Sequence, residues 1–446
     1  MQVSFFRELL DTIFERSRAL SPTMRNGSRA NIADLVRHLL SRRGELSGVA
    51  IAQEIVEAYG RLTPAQRKSF FLTLADEFGP DPEAVRAAAE AFLASGDSQC
   101  MRKLARSVEA PRQEFFRRLN LAPLGTAAMV GMRAELVPLL DGNPELKLVD
   151  EDLAHLLRSW FNRGFLVLRR IDWSTPANIL EKIIQYEAVH EIHDWDDLKR
   201  RLDPTDRRCF AFFHPALADE PLIFVEVALT NGVAASVQAL LSGERADGTT
   251  RSRTAVFYSI SNCQAGLAGI SFGNFLIKQV VTDLLREQPQ LKTFVTLSPM
   301  PGFLGWLRRV LGSDGSPAAA ESSNLLETLG DPAWVDDIEL RETLSEKLMP
   351  LAARYLLEVK RPNGRQPLDP VARFHLGNGA RVERLNWLGD LSPRGLSQSA
   401  GIMVNYLYEL KDIERNHEDY FERGIIAAAP GFRKLLKQAN HVVAAL

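Results

Sequence analysis

Along the first 160 residues, apolar side chains recur at helical spacing. Phe5, Leu9, Ile13 and Phe14 share one face. Thr63-Pro64 and Asp81-Pro82 each set an N-cap residue before a proline at the first helical position. They predict helices over 65–78 and 83–94. Glu83 adds a carboxylate beside the positive end of the second. No strand-like alternation interrupts this third of the chain. Residues 1–160 are therefore expected to form an all-helical packing or oligomerisation domain without chemistry of its own.

The pattern changes near Phe165 to short apolar runs. Residues 165–170 read as a strand, and Thr175-Pro176 is expected to cap a helix reaching about 188. Two further strands are predicted over 209–213 and 222–229. The second, Leu-Ile-Phe-Val-Glu-Val-Ala-Leu, is too continuously apolar for a half-exposed strand and reads as buried on both faces. A strand over 254–260, a glycine-bearing loop over 264–273, a helix over 272–285 and a strand over 292–297 make one crossover unit. The Ser/Ala/Gly-rich stretch 312–324 is expected to be a surface loop. A long amphipathic helix follows over 338–359. Asp369-Pro370 opens a short helix that leads to His375, and Asn378-Gly379 marks a turn. A strand over 380–388 and a helix over 395–410 complete the reading. The expected class is α+β, with 161–446 as the second domain.

Composition narrows the function. The chain has 446 residues, 46% of them apolar, and its 54 basic and 56 acidic residues leave a net charge of −2. That balance excludes a broadly basic nucleic-acid binder and an acidic solvating tail. Cys100, Cys209 and Cys263 are far apart and form no CxxC pattern. A disulfide scaffold or thiolate zinc site is not expected, and a reducing compartment fits. No run approaches the 18 uninterrupted apolar residues of a membrane span, and no basic-then-apolar leader opens the chain. A cytoplasmic protein without membrane, nucleic-acid or metal partners is expected.

Four places attract chemistry. The loop Gln264–Gly273 lies between a strand and a helix start, where bare glycines and free N–H groups suit a phosphate. It is neither a Walker A loop nor GxGxxG, and a plain tight connection stands as the competing reading. Gly269-Ile-Ser271-Phe-Gly273 is formally GxSxG, although the strand before it ends about ten residues too early for a nucleophile elbow. Ser298 follows a strand end and precedes Pro299-Met-Pro301, which stiffens the exit. No HExxH occurs, and no carboxylate or cysteine set completes a metal site around His190 and His193. His375, by contrast, is expected at the end of an element facing a cleft. The polar-aromatic stretch 384–395 is open to a structural or a functional reading.

At these residues the chain resembles the malonyl-CoA decarboxylase family. The matching segments are 220–230, Phe257-Tyr-Ser-Ile-Ser261, Gly266-Leu-Ala-Gly269, Phe275-Leu-Ile-Lys278, Leu297-Ser-Pro-Met-Pro-Gly-Phe303, Phe374-His-Leu-Gly-Asn-Gly379, Asn386-Trp387 and 394–408. They fall in the expected order. The resemblance implies a helical N-terminal domain and a catalytic domain with an acyl-CoA N-acetyltransferase (GNAT-like) fold. It also implies conversion of malonyl-CoA to acetyl-CoA and CO2, and assembly into homodimers or homotetramers. Ser298 and His375 match the family's catalytic pair, as proton acceptor and proton donor. Tyr408 matches an active-site tyrosine. Ala268, Gly269, Ile270, Ser271, Phe272, Gly273 and Asn274 match its CoA-contacting loop. Some members carry an acidic residue where this chain has Ser271.

The implied reaction suits these residue types. Loss of CO2 from a malonyl thioester leaves its electron pair in the thioester carbonyl, so no added cofactor is expected. The competing readings are an acyltransferase on the same fold, a serine thioesterase using Ser271, and an inactive CoA-sensing protein.

Overall fold

The computed structural model describes residues 31–41, 45–242, 252–270, 276–311, 319–362 and 364–445. The expected amphipathic segment at Phe5–Phe14 lies outside them. The described residues divide into two compact units. The first is helical and includes the chain up to Val167 together with 213–222 and 263–272. The second holds the rest.

In the first unit the capping signals act as the sequence predicts. Thr63 and Gln66 form a reciprocal capping box at the start of the helix Pro64–Asp76. Asp81 caps the helix Pro82–Ser95 through the Glu83 amide. Phe70, Phe71, Phe115, Phe116 and Leu119 form much of the core. The helices Pro82–Ser95 and Ser98–Ser107 bury no residue. Leu93 on the first is 83% exposed.

The second unit is built on a mixed sheet of β1 (Val167–Ile171), β2 (Arg207–Phe213), β3 (Pro221–Thr230), β4 (Thr254–Asn262), β5 (Thr293–Thr296), β6 (Ser298–Pro299), β7 (Arg381–Asn386) and β8 (Met403–Leu407). Their order is β1-β2-β3-β4-β5-β8-β6, with β7 also on β8. β2 is buried throughout and β3 nearly so, as its continuous apolar run requires. The crossover unit through the helix Leu276–Glu287 makes β5 parallel to β4, while β3 and β8 pair antiparallel to their neighbours. The α+β class, with helices first and a mixed sheet after, is the architecture expected.

Three expectations need correction. The stretch 395–410 is not one helix. Its helix stops at Ser399, because Ala400 (φ 51°) and Gly401 (φ 73°) take left-handed conformations. Met403–Leu407 then becomes β8, paired with β5, β6 and β7. Pairing on several strands outweighs local helical periodicity. Thr175 does not cap the helix Ala177–Tyr186; its hydroxyl accepts from the Asp172 amide instead. The surface-loop expectation for 312–324 fails at its end, where 319–324 begin the helix Ala319–Gly330. Residues 312–318 lie outside the described set.

Candidate active site

The site grows out of a split in the sheet. β5 pairs with β4 only from Thr254↔Thr293 to Phe257↔Thr296. Beyond that point β4 continues on β3, whereas Ser298–Pro299 turns to β8. Opposite Glu226 and Val227, β4 carries one extra residue, Tyr258. The opening holds a cavity of about 210 Å³. Ile260 and Asn262 line it from β4, and Ser298 and Pro299 from β6. Val371, Phe374 and His375 close it from the helix Pro370–Gly377, and Val189 from a loop. None of its described lining residues is an acid, a lysine or an arginine.

Ser298 and His375, 77 positions apart, meet here: Ser298 Oγ lies 3.0 Å from His375 Nε2. On the other side of the ring, His375 Nδ1 lies 2.9 Å from the Tyr408 hydroxyl. Tyr408 does not line the cavity, so it reaches the site through the imidazole. It stands just beyond β8 rather than on a helix. All three residues are buried. Burial alone pushes the His375 imidazole down to about 3, so it is neutral at physiological pH. Burial likewise pushes the Tyr408 phenol up, and it stays protonated.

Local chemistry holds the imidazole in place. Asp369 caps the helix through the Ala372 amide, with Pro370 at the first position. The Tyr355 hydroxyl donates to the other Asp369 oxygen at 3.4 Å, and burial raises that carboxyl to about 6. The glycine of Pro301-Gly302 serves this contact, because a Cβ there would lie 2.3 Å from the Tyr355 oxygen. Gly379, at φ 82°, ends the turn after the helix, where a Cβ would meet the Ile413 carbonyl at 2.3 Å. The ring of His375 stacks on Tyr406 at 4.5 Å. Sequence reading missed Tyr406 and Thr296. Both sit two residues from a named candidate on the same strand run, and alternation along the strand was the signal that could have found them.

Comparison with known proteins gives the same picture. A family model for the malonyl-CoA decarboxylase C-terminal domain matches residues 164–445, and one for the N-terminal domain matches 78–161. The chain belongs to the malonyl-CoA decarboxylase family. The mitochondrial malonyl-CoA decarboxylase of the goose Anser anser anser is 36% identical over 403 residues, 82% of this chain and 79% of the relative. That of Rattus norvegicus is 34% identical over 421 residues, 86% and 85%. The crystal structure of malonyl-CoA decarboxylase from Rhodopseudomonas palustris matches at a TM-score of 0.86 and 56% identity, covering 90% of this chain and 98% of that one. The Agrobacterium vitis structure matches at 0.83 and 52%, covering 91% and 99%.

The decarboxylase-like stretch 268–274 is described only as far as Ile270. Ser271, Phe272, Gly273 and Asn274 lie outside the described residues. Two of the three described amides are occupied: Ala268 donates to Ala265 and Ile270 to Leu267. Gly269 has φ 74°, and a Cβ there would meet nothing. Gly266 is different. A Cβ would lie 1.8 Å from the Val130 carbonyl, so this glycine seats the turn on the helix Gly125–Leu136 rather than admitting a ligand. Arg133 fixes it by donating to the Gly266 and Ala268 carbonyls, both at 2.8 Å.

The remaining candidates serve the fold. His190 is buried in a loop, not on a shared helix face with His193, and burial lowers it to about 4. In the stretch 384–395, Arg384 and Asn386 donate to Asn405 Oδ1, at 3.1 and 2.9 Å, and Trp387 stacks on Trp334 at 5.7 Å. Asp390 accepts from Gln238 at 2.9 Å.

Proposed function

We propose that this chain decarboxylates malonyl-CoA to acetyl-CoA and CO2. Family membership supports the reaction, and the observation that carries it to these residues is the Ser298–His375 contact in a cavity with no acid, lysine or arginine among its described lining residues. The C–C bond to the carboxylate breaks, CO2 leaves, and the electron pair enters the thioester carbonyl as an enolate. No cation stands among the described lining residues, so none of them pairs the carboxylate and the neutral product forfeits no ion pair with them, which favours departure. Ser298 lines the malonyl pocket and holds the Nε2 edge of His375 at its wall. His375 Nε2–H then delivers its proton to the enolate carbon, which is a stronger base than imidazolide. The Tyr408 hydroxyl hydrogen-bonds the ring as negative charge passes onto it, an interaction that strengthens in the transition state. Solvent returns the proton to Nε2. One proton is consumed per turnover, and the reading uses no cofactor.

The rest of the reading is a proposal on the same footing. The 268–274 loop holds the CoA carrier. The protein works as a homodimer or homotetramer, supported by the helix pair 82–107 that buries no residue of its own. A cytoplasmic location is supported by three cysteines that form no disulfide. Among the described residues no helix is long and apolar enough to cross a membrane.

The test is incubation with malonyl-CoA in D2O. Equimolar acetyl-CoA and CO2, with one deuterium in the acetyl methyl, is the expected result. Free CoA thiol without acetyl-CoA would indicate a thioesterase, and a strict need for an amine an acyltransferase. Binding without turnover would indicate a sensor.

A further inference from the structure

The geometry of the Ser298–Thr296 contact sets the hydrogen-bond directions around Ser298. Ser298 Oγ donates to Thr296 Oγ1 at 2.9 Å. A serine hydroxyl has one proton, so it has none left for His375. The 3.0 Å contact with Nε2 must then run the other way, with Nε2–H as donor. A neutral imidazole carries one N–H, which leaves Nδ1 bare to accept from the Tyr408 hydroxyl. The reverse order would strand the buried Tyr408 proton. Thr296 is itself held. It is fully buried, and its oxygen also accepts from the Tyr406 amide at 3.1 Å. Its carbonyl accepts from Asn405 Nδ2 at 2.7 Å.

We propose that Thr296 is a positioning residue that selects the Nε2–H tautomer of His375 by taking the proton of Ser298. It is not among the described residues that line the cavity. It acts by keeping the serine from donating to the imidazole, so that the ring presents a proton rather than a lone pair. A Ser–His pair of the opposite polarity would be an activated nucleophile suited to acyl transfer. The inference rests on the decarboxylase reading and names a residue that reading does not include.

The experiment uses the full chain. In wild-type protein labelled with ¹⁵N-histidine, Nε2 of His375 should resonate as protonated and Nδ1 as bare; the reverse pattern overturns the proposal. Thr296→Val should lower kcat about tenfold or more, since a lost tautomer-setting partner costs up to about 10⁴-fold in other Ser–His sites. KM should stay within about threefold, the signature of a group acting on the chemical step. Thr296→Ser should restore kcat to within about threefold, because it keeps the acceptor oxygen. Wild-type turnover in Thr296→Val, or equal damage in Thr296→Ser, overturns the role. Should Thr296→Val not fold, the wild-type spectrum and Thr296→Ser still decide. If Ser298→Ala and His375→Asn leave turnover intact, the decarboxylase site itself is wrong. If those two fail while Thr296→Val does not, only the threonine's role falls.

Discussion

Around His375, the buried polar contacts join neutral groups: a phenol, an imidazole and two hydroxyls, each in reach of one or two partners. Elsewhere in the same unit, Glu187 and Arg201 organise a second buried cluster on the opposite principle. The Glu187 carboxylate accepts from Ser259 at 2.7 Å, Ser261 at 3.2 Å, and the amides of Val189 and His190 at 2.7 and 2.9 Å. Arg201 donates to Glu226 at 3.2 Å and to the carbonyls of His190 and Glu191 at 2.8 and 2.9 Å. Burial and the neighbouring Glu187 charge push Glu226 up. The second cluster gathers charges around Arg201, although Glu226 Oε1 and Arg201 Nε make no hydrogen bond among the described residues. The first is neutral, has a partner at both imidazole nitrogens, and opens to a cavity. Buried polarity alone therefore does not mark a reactive site; neutral groups aligned beside empty space do.

The widest gap between the two clusters should appear on truncation. His375→Asn is expected to lower kcat by about 10² to 10⁴ with little change in melting temperature, read from acetyl-CoA production and thermal unfolding. Arg201→Met should do the reverse. Leaving Glu226 buried without its partner costs about 3–5 kcal/mol in urea unfolding, while kcat per folded molecule holds. Loss of turnover at full stability would erase the distinction. Tyr408→Phe should fall between them, lowering kcat about 10- to 100-fold with KM unchanged, because the lost hydrogen bond strengthens in the transition state.

Acidity gives the smallest and most diagnostic effect. The free enzyme's His375 is neutral down to about pH 3, so kcat/KM should show no inflection near 6.5 from this group. Stability carries its signature instead. Between about 3 and 6.5 the unfolded chain binds a proton that folded His375 refuses, so stability is lost as pH falls through that window. One such group contributes about 1.4 kcal/mol per pH unit at most. His375→Asn should flatten the acid side of a pH-stability series by about that slope. The buried carboxyls of Asp369 and Glu226 act in the opposite sense, losing stability as pH rises toward their elevated values.

Much of this arrangement was legible in the chain. Thr63-Pro64, Asp81-Pro82 and Asp369-Pro370 each mark a helix start because capping is a local matter of a side-chain oxygen and the next few amides. The apolar run of β3 announced its burial. The fate of 403–407 was not legible, since three partner strands from elsewhere decide it. At the site, Ser298 and His375 stood out by context and family likeness. Thr296 did not, because its meaning depends on an amide 110 positions away. At Gly266 the likeness to a ligand loop pointed the wrong way. A missing side chain looks the same in sequence whether a phosphate or a backbone carbonyl fills the space.

That seat has a bearing on how the chain can be divided. The two family models meet between 161 and 164. Yet the turn at 266–268 is seated on a helix of the N-terminal model's range, and its carbonyls are stapled by Arg133. A polypeptide started at that seam would carry a keystone without its arch. The border drawn by ancestry crosses the interior of one packed body.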